Sequence, residues 1–283
     1  MPVRRRLPLV ASLAVLAIGL VGLIAYALFG DVVPAPGGVY VEGLVGAPRY
    51  LNPLLAAPGS PDEDVCALVF EGLTRLGPDG ALAPGLASEW TAEPGGRSYG
   101  FKLRRDLRWH DGSPVRAEDV VATVRALQAP DFPGDAGLAA AWRGIAVEAT
   151  ADGVRFTLPE PDAWFPERAS LGIIPAASAA ALRGQPGLEA DFNLRPVGTG
   201  PFRVVAAELR RIELAAWDGY PDRQPFVRGV ELRFFGGAEA ALVALRRGEL
   251  TAVAPVALGD AAARAAQQGG AAVHQRAERG KAV

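Results

Sequence analysis

The sequence has very few cysteines and histidines. Its 283 residues include one cysteine, Cys66, and two histidines, His110 and His274. A single thiol cannot form an internal disulfide, and no pair of these residues has the spacing of zinc ligands. The counts argue against a structural zinc site and against most histidine-based catalysis. We therefore expect neither a metal nor a cofactor.

An excess of positive charge is also lacking. Lys and Arg total 29 against 31 Asp and Glu, which gives a formal net charge of -2. Nucleic-acid-binding domains need a basic surface, and single-strand binders add aromatic platforms, whereas aromatic residues make up only 7% here. Nucleic acid is therefore not an expected partner. The 34 glycines and 24 prolines indicate many turns, as in a mixed α/β chain.

A long apolar run lies near the N terminus. Three arginines, Arg4–Arg6, precede residues 7–29, which carry no charge. As a helix this run would span roughly 35 Å, enough to cross a bilayer, and the arginines would stay on the cytoplasmic side. Two hypotheses remain open: a retained membrane anchor, which the length favours, and a signal peptide cleaved after Ala25-Tyr26-Ala27. Cys66 is too far downstream to carry a lipid.

The hydrophobic pattern of the remaining chain predicts strands and helices in alternation. Tyr99, Phe101 and Leu103 alternate with polar residues, which indicates a half-buried strand. The helical spacing of Val120 and Val124 indicates an amphipathic helix. Further strands are predicted at 39–44, 147–149, 154–158, 202–208, 212–217, 230–235, 250–255 and 272–276, and helices at 62–73, 117–127, 163–168, 238–247 and 259–267.

One segment matches an enzyme motif. Gly96-Arg97-Ser98-Tyr99-Gly100 fits the G-x-S-x-G elbow of α/β-hydrolases, which requires a strand, a sharp turn and a helix. Here Ser98 stands within a strand pattern, so a secreted serine hydrolase is only a distant alternative. A metal site at His110 and Asp111 is weaker, because adjacent residues seldom bind one ion. We therefore assign no catalytic residue and do not expect the protein to be an enzyme. We interpret Cys66 as a buried apolar group.

Five segments of the sequence occur in a particular order and spacing, and together they are more specific to a protein family than any one of them alone. They are YLNPL (50–54), FEGLTRLGPDGALAPGLASEW (70–90), YGFKLRRDLRWHDGSPVRAEDVV (99–121), PVGTGPFRV (196–204) and Ala241-Leu242 with LRRGEL (245–250). This series is similar to extracellular solute-binding protein family 5, the peptide-, oligopeptide-, dipeptide- or nickel-binding component of ABC importers. The likeness covers about residues 39–277.

The resemblance implies an α/β, periplasmic-binding-protein-like fold (type II, cluster C) with mixed sheets. After a cytoplasmic n-region at 1–6, the transmembrane or signal segment at 7–29 and a linker at 30–38, a first-lobe core would comprise 39–70 and 181–283. An α+β subdomain would be inserted at 71–180. Family members continue with a second lobe, so we expect this chain to be truncated before that lobe and to bind peptide weakly or not at all. A non-binding fragment or remnant is the alternative function.

For function, the resemblance implies capture of peptides or related small solutes outside the cytoplasm, by lobes that close like a hinge, and delivery to ABC permease subunits. The protein would be a monomer, attached to the cell membrane through residues 7–29. Two segments are candidates for ligand contact, and an ordinary surface loop or turn is the alternative for each. They are the loop Ala57, Pro58, Gly59 and Ser60, and the bend Gly198, Thr199 and Gly200.

Some residues depart from the family pattern. Arg116 stands where members usually have a threonine that caps the following helix, so the cap should be lost or moved, at a cost of about 1 kcal/mol. Trp217-Asp218 replaces Asn-Pro ahead of Tyr220, and Thr251 replaces an acidic residue. Trp90 and Trp109 are expected to be core residues.

Overall fold

The computed structural model describes residues 37–77, 79–182 and 191–254. The apolar run at 7–29, the site Ala25–Ala27 and the segments predicted at 259–267 and 272–276 lie outside these residues. Within the described ranges, no helix is both long enough and apolar enough to cross a membrane.

The strands and helices follow each other in mixed order. The strands are β1 (Val39–Val45), β2 (Thr74–Leu76), β3 (Leu82–Pro84), β4 (Ala87–Ala92), β5 (Ser98–Leu103), β6 (Ala146–Ala149), β7 (Gly153–Thr157), β8 (Phe202–Glu208), β9 (Arg211–Ala216), β10 (Gly229–Phe235) and β11 (Ala252–Val253). The helices are α1 (Pro61–Val69), α2 (Ala117–Leu127), α3 (Ala136–Trp142), α4 (Phe165–Arg168), α5 (Ala176–Ala181) and α6 (Ala238–Arg246), with a 3-10 turn at Asp191–Asn193.

The strands form three sheets. The largest is mixed, with the order β11-β1-β10-β9-β8, in which β1 runs parallel to β10 and β11 and the other pairs are antiparallel. A four-stranded antiparallel sheet has the order β4-β5-β7-β6, and β2 pairs with β3. Strands from 74–157 thus form the two smaller sheets, while the division into a core and an inserted subdomain stays a prediction.

Most elements agree with the sequence pattern. The helix at 117–127 and the strand at 202–208 are confirmed to the residue, and the strands predicted at 147–149 and 154–158 form and pair with each other, with Ala149 opposite Val154. The helix predicted at 62–73 is wrong at its end, because it stops at Val69 and Phe70 is already extended. Leu73 is buried, as its spacing suggested, but its amide bonds to the carbonyl of Ala169 in another segment.

An aromatic cluster fills the core beside the four-stranded sheet. Phe101 and Phe156 meet edge to face at 5.6 Å between ring centroids, and Phe165 lies 5.0 Å from Phe156. Such pairs add about 1 kcal/mol beyond the area they bury. Trp109 is confirmed as a core residue, whereas Trp90 is only half-buried against the core. Cys66 is buried, and burial raises the pKa of its thiol, which leaves it unreactive.

The missing threonine cap of α2 is replaced by a carboxylate inside the helix. Asp119 Oδ2 accepts from the amide of Arg116 at 2.8 Å, while the Asp119 amide donates to the Arg116 carbonyl at 3.1 Å. Asp119 Oδ1 also accepts from the amide of Ala176 at 2.8 Å, at the start of α5. The cap has therefore moved, and one buried carboxylate fixes the first turns of two helices.

A polar cluster connects the β9–β10 turn to the smaller sheets. Tyr220 donates its hydroxyl to Glu71 Oε1 at 2.7 Å, and both residues are buried. Two residues on, Asp222 accepts a bidentate pair from Arg104 at 2.7 and 3.0 Å. Such forked pairs fix geometry as well as adding energy. Burial raises the pKa of Glu71, and the Arg104 hydrogen bond lowers that of Asp222.

Replacing Asp119 should destabilise the fold strongly. In Asp119→Ala the amides of Arg116 and Ala176 lose their acceptor, so the free energy of unfolding should fall by about 2–4 kcal/mol. Glu118→Ala is the matched control, because it removes an exposed charge from the same helical turn and should cost less than about 1 kcal/mol. Urea unfolding of both variants measures the difference, and equal losses would contradict the double-capping role.

The Glu71 carboxyl should make stability fall as the pH rises. Its pKa is raised in the folded chain, so between the ordinary value near 4.5 and the raised value the native state binds more protons than the unfolded state. The free energy of unfolding therefore decreases with pH across this window. Glu71→Gln keeps an acceptor for Tyr220 and should flatten that decrease, measured by urea unfolding from pH 4 upward, whereas Glu160→Gln at an exposed position should not. An unchanged slope in Glu71→Gln would refute the assignment.

Candidate functional site

The loop before α1 lies at the surface. Ala57, Pro58 and Gly59 are exposed, while Ser60 is half-buried at the N-cap of the helix. Gly59 has a φ of +73°, which favours glycine, and a Cβ added there would meet no atom of the described part of the chain within 4 Å. Its amide donates to Glu63 Oε2 at 2.6 Å. The loop is therefore held in a defined conformation while its outer side stays open.

The bend at 198–200 is interior. All three residues are buried, and the amide of Gly200 donates to the carbonyl of Val69 at 2.9 Å, at the last residue of α1. A Cβ on Gly200 would stand 2.6 Å from the carbonyl oxygen of Leu68, and one on Gly198 would collide with the carbonyl of Val69. Both glycines are thus required by close packing of the backbone on the helix. Thr199 is buried and its hydroxyl has no hydrogen-bond partner in the described structure.

His110 holds the other side of this bend. Its Nδ1 accepts from the amide of Gly198 at 3.3 Å, and its Nε2 lies 3.0 Å from the carbonyl oxygen of Gly200. The first contact requires an unprotonated Nδ1, so the hydrogen sits on Nε2 and donates to Gly200. Burial lowers the pKa of His110, in keeping with a neutral ring. The ring also stacks edge to face with Trp217, with centroids 5.0 Å apart.

The structure does not bring the two candidate segments together. The loop 57–60 precedes the first residue of α1, and the bend 198–200 contacts its last residue. A helix of nine residues is roughly 13 Å long, so the two segments lie at opposite ends of it. Ligand contact at either segment stays a prediction, and the packing of the bend explains its glycines without a ligand.

Two carboxylates near the loop were missed by the sequence reasoning: Glu42 on β1, which is half-buried, and Asp64 on α1, which is exposed. Both have a raised pKa, first because neighbouring residues partly desolvate them, and the negative charge of Asp64 adds to the effect on Glu42. The amide of Asp64 bonds to the carbonyl of Ser60, which places it one turn from the loop. The sequence did contain an indication of this. Glu42 and Leu44 are two residues apart on β1, so their side chains face the same side of the sheet, and Leu44 is buried.

The remaining motifs find structural explanations. Ser98 is the first residue of β5 and is paired with Thr157, so the strand-turn-helix of a nucleophile elbow is not formed. Asp111 Oδ1 accepts from the amide and hydroxyl of Ser113, which accounts for the HDG turn and lowers the pKa of Asp111. Among residues 37–77, 79–182 and 191–254, no three His, Cys, Asp or Glu side chains are grouped to hold a metal ion.

Several known proteins are similar to this chain in both fold and sequence. The oligopeptide-binding protein AppA of Bacillus subtilis is 28% identical over 223 residues, covering 77% of this chain and 40% of AppA. Its solved structure in complex with a nonapeptide has a TM-score of 0.70 at 26% identity, covering 77% of this chain and 44% of that one. NikZ from Campylobacter jejuni, solved with Ni(L-His), has a TM-score of 0.67 at 25% identity, covering 75% and 42%.

The chain spans less than half the length of each of these relatives. Its mixed α/β sheets are those of periplasmic binding proteins. The sequence profile described as "Bacterial extracellular solute-binding proteins, family 5 Middle" matches residues 81–280, more than two-thirds of the chain. The chain belongs to the bacterial extracellular solute-binding proteins of family 5.

Proposed function

We propose that this protein is the substrate-binding part of an ABC importer, which captures peptides or related small solutes outside the cytoplasm and presents them to permease subunits. Family membership and the fold shared with a peptide-bound oligopeptide-binding protein support this function. Solute-binding proteins of this family are not enzymes. The type II architecture with an insert at 71–180, and the monomeric state, are parts of the same proposal.

The loop Ala57–Ser60 suits contact with an extended peptide. It exposes small or apolar residues, and no atom of the described residues occupies the space beside Gly59. Peptides are often recognised through backbone hydrogen bonds, which need close approach of two main chains and little from side chains. A loop with an open glycine and no bulky side chain permits that approach. The nearby carboxylates Glu42 and Asp64 favour a solute that carries positive charge.

The bend Gly198-Thr199-Gly200 supports a second role, which is to position α1. It touches the last turn of the helix through backbone atoms and is held by the His110 ring from the other side. A helix fixed at its C-terminal end presents the loop at its N-terminal end in one orientation. Direct ligand contact at these three residues stays part of the proposal.

Attachment to the membrane is part of the proposal, and the first thirty residues support it. Arg4–Arg6 and the uncharged run at 7–29 support a helix anchored with its N terminus in the cytoplasm. Such an anchor would keep the binding site beside the permease, which raises the local concentration of captured solute at the importer. The location of family members outside the cytoplasm agrees with this orientation.

A bulky side chain in the loop should impair function without loss of fold. Ala57→Trp fills the open side of the loop, so uptake of radiolabelled tripeptides by host cells that carry this variant in place of the natural gene should drop about ten-fold, by loss of roughly 1.4 kcal/mol in binding. Ala92→Trp, at an exposed alanine of β4, is the control and should transport normally. Normal uptake by cells that lack the gene would refute the proposed import function. Normal uptake by cells with Ala57→Trp, together with loss of uptake in cells that lack the gene, would refute only the role of the loop in binding.

The N-terminal run should remain in the mature protein. Intact mass spectrometry of the protein from its host should include residues 1–27, and carbonate washing should leave it in the membrane fraction. Replacing Leu16, Leu20 and Leu23 by Lys should release it, because charges at the centre of a membrane helix cost about 2.5–3.5 kcal/mol each. A mass beginning at residue 28 would show cleavage after Ala27 instead.

A further inference from the structure

A groove with a cavity volume of about 520 Å³ lies between α2, α5 and β6. Its floor is a stripe of α2 formed by Glu118, Val121, Ala122 and Arg125, which recur at helical spacing on one face. One wall consists of alanines of α5, whose small side chains leave the space open. The volume falls in the range of small-ligand sites. Neither the loop 57–60 nor the bend 198–200 lines it.

The groove is preformed because α5 is bonded to α2. Asp119 caps both helices, as described above, and the Thr123 hydroxyl donates to the carbonyl of Asp119 at 2.8 Å. The amide of Ile174, just ahead of α5, lies 3.2 Å from the same hydroxyl oxygen. Thr123 and Ile174 are fully buried. A ligand would therefore meet a rigid wall and would not have to order it.

The other wall is the outer strand of a sheet, with no further strand beside it among the described residues. β6 is the outer strand of the order β4-β5-β7-β6, and three consecutive residues, Val147, Glu148 and Ala149, line the groove. The amide of Thr150 bonds to the carbonyl of Gly153, so the alternation of an antiparallel ladder turns the N–H and C=O groups of Val147 and Ala149 away from β7. Within the described residues those groups have no backbone partner.

Opposite charges stand at the two ends of the floor. Glu118 and Arg125 are exposed, and neither forms a salt bridge or side-chain hydrogen bond with any described residue. Seven helical residues separate them by roughly 10 Å along the axis. Three residues of extended chain cover about the same length, at 3.4 Å each.

We propose that this groove binds a short peptide of about three residues with free ends, which adds to β6 as an extra strand. Its backbone bonds to the outward groups of Val147 and Ala149, its amino group lies near Glu118 and its carboxylate near Arg125. Small side chains fit, because the wall residues other than Glu148 are alanine and valine. The inference does not rest on the proposed import function, since it uses other residues.

The test uses trialanine and the full chain labelled with nitrogen-15. Titration should shift the amide resonances of Val147 and Ala149 and slow their hydrogen exchange. Glu118→Gln and Arg125→Gln should each weaken binding about three- to five-fold, since each removes one exposed charge pair. Arg143→Gln, an exposed arginine outside the groove, is the control and should bind as the natural chain does. Trialanine with acetylated and amidated ends should bind at least five-fold more weakly.

Three results would overturn the proposal: no shift at Val147 and Ala149 at 10 mM trialanine, equal affinity for the blocked peptide, or unchanged affinity in both charge variants. The Ala57→Trp variant separates the two sites. If it loses peptide uptake and keeps the shifts at β6, the groove stands independently of the import site. If the shifts at β6 vanish in Ala57→Trp, they report on the loop, and the groove proposal is wrong.

Discussion

The backbone of the 198–200 bend lies directly on the last turn of α1, and much of the structure depends on this contact. It exists because neither Gly198 nor Gly200 has a Cβ: on Gly200 that atom would stand 2.6 Å from the carbonyl oxygen of Leu68. From the other side His110, which follows β5, bonds both glycines as a neutral ring. Three parts of the chain therefore meet at this point. They are α1, the turn that follows β5 and contains His110, and the segment that leads into β8.

A second junction reinforces the first. The turn after β9 carries Tyr220 and Asp222, which bond Glu71 and Arg104 in the part of the chain that forms the smaller sheets. Removing one partner from the buried Tyr220–Glu71 pair leaves the other without compensation, which costs more than the pair itself contributes. Two such junctions fix the orientation of the five-stranded sheet relative to the smaller sheets, whereas a single junction would allow rotation. The relative orientation of the sheets is therefore set by a few residues.

The periodic parts of this fold could be predicted from the sequence, and the departures have local causes. The α2 helix and β8 follow hydrophobic spacing to the residue, but α5 does not, because AASAAA carries no amphipathic signal and its start is fixed by Asp119 from another helix. Leu73 fits the helical period of α1 only by coincidence, since it lies beyond the end of the helix and its amide bonds to the carbonyl of Ala169. The candidate loop could be located by resemblance, but Glu42 and its burial beside Asp64 emerge only from tertiary packing.

The segments by which the chain resembles its family are largely packing motifs. Glu71, His110 and Gly198 belong to three of these segments, and each holds the sheets together through buried contacts. Their contacts within the fold explain these residues without a ligand. We therefore expect the choice of ligand to depend on exposed groups outside the signature, such as the loop 57–60 proposed above. Family membership consequently predicts the architecture well and the ligand poorly, which is why proteins of this one fold are found with a nonapeptide and with Ni(L-His).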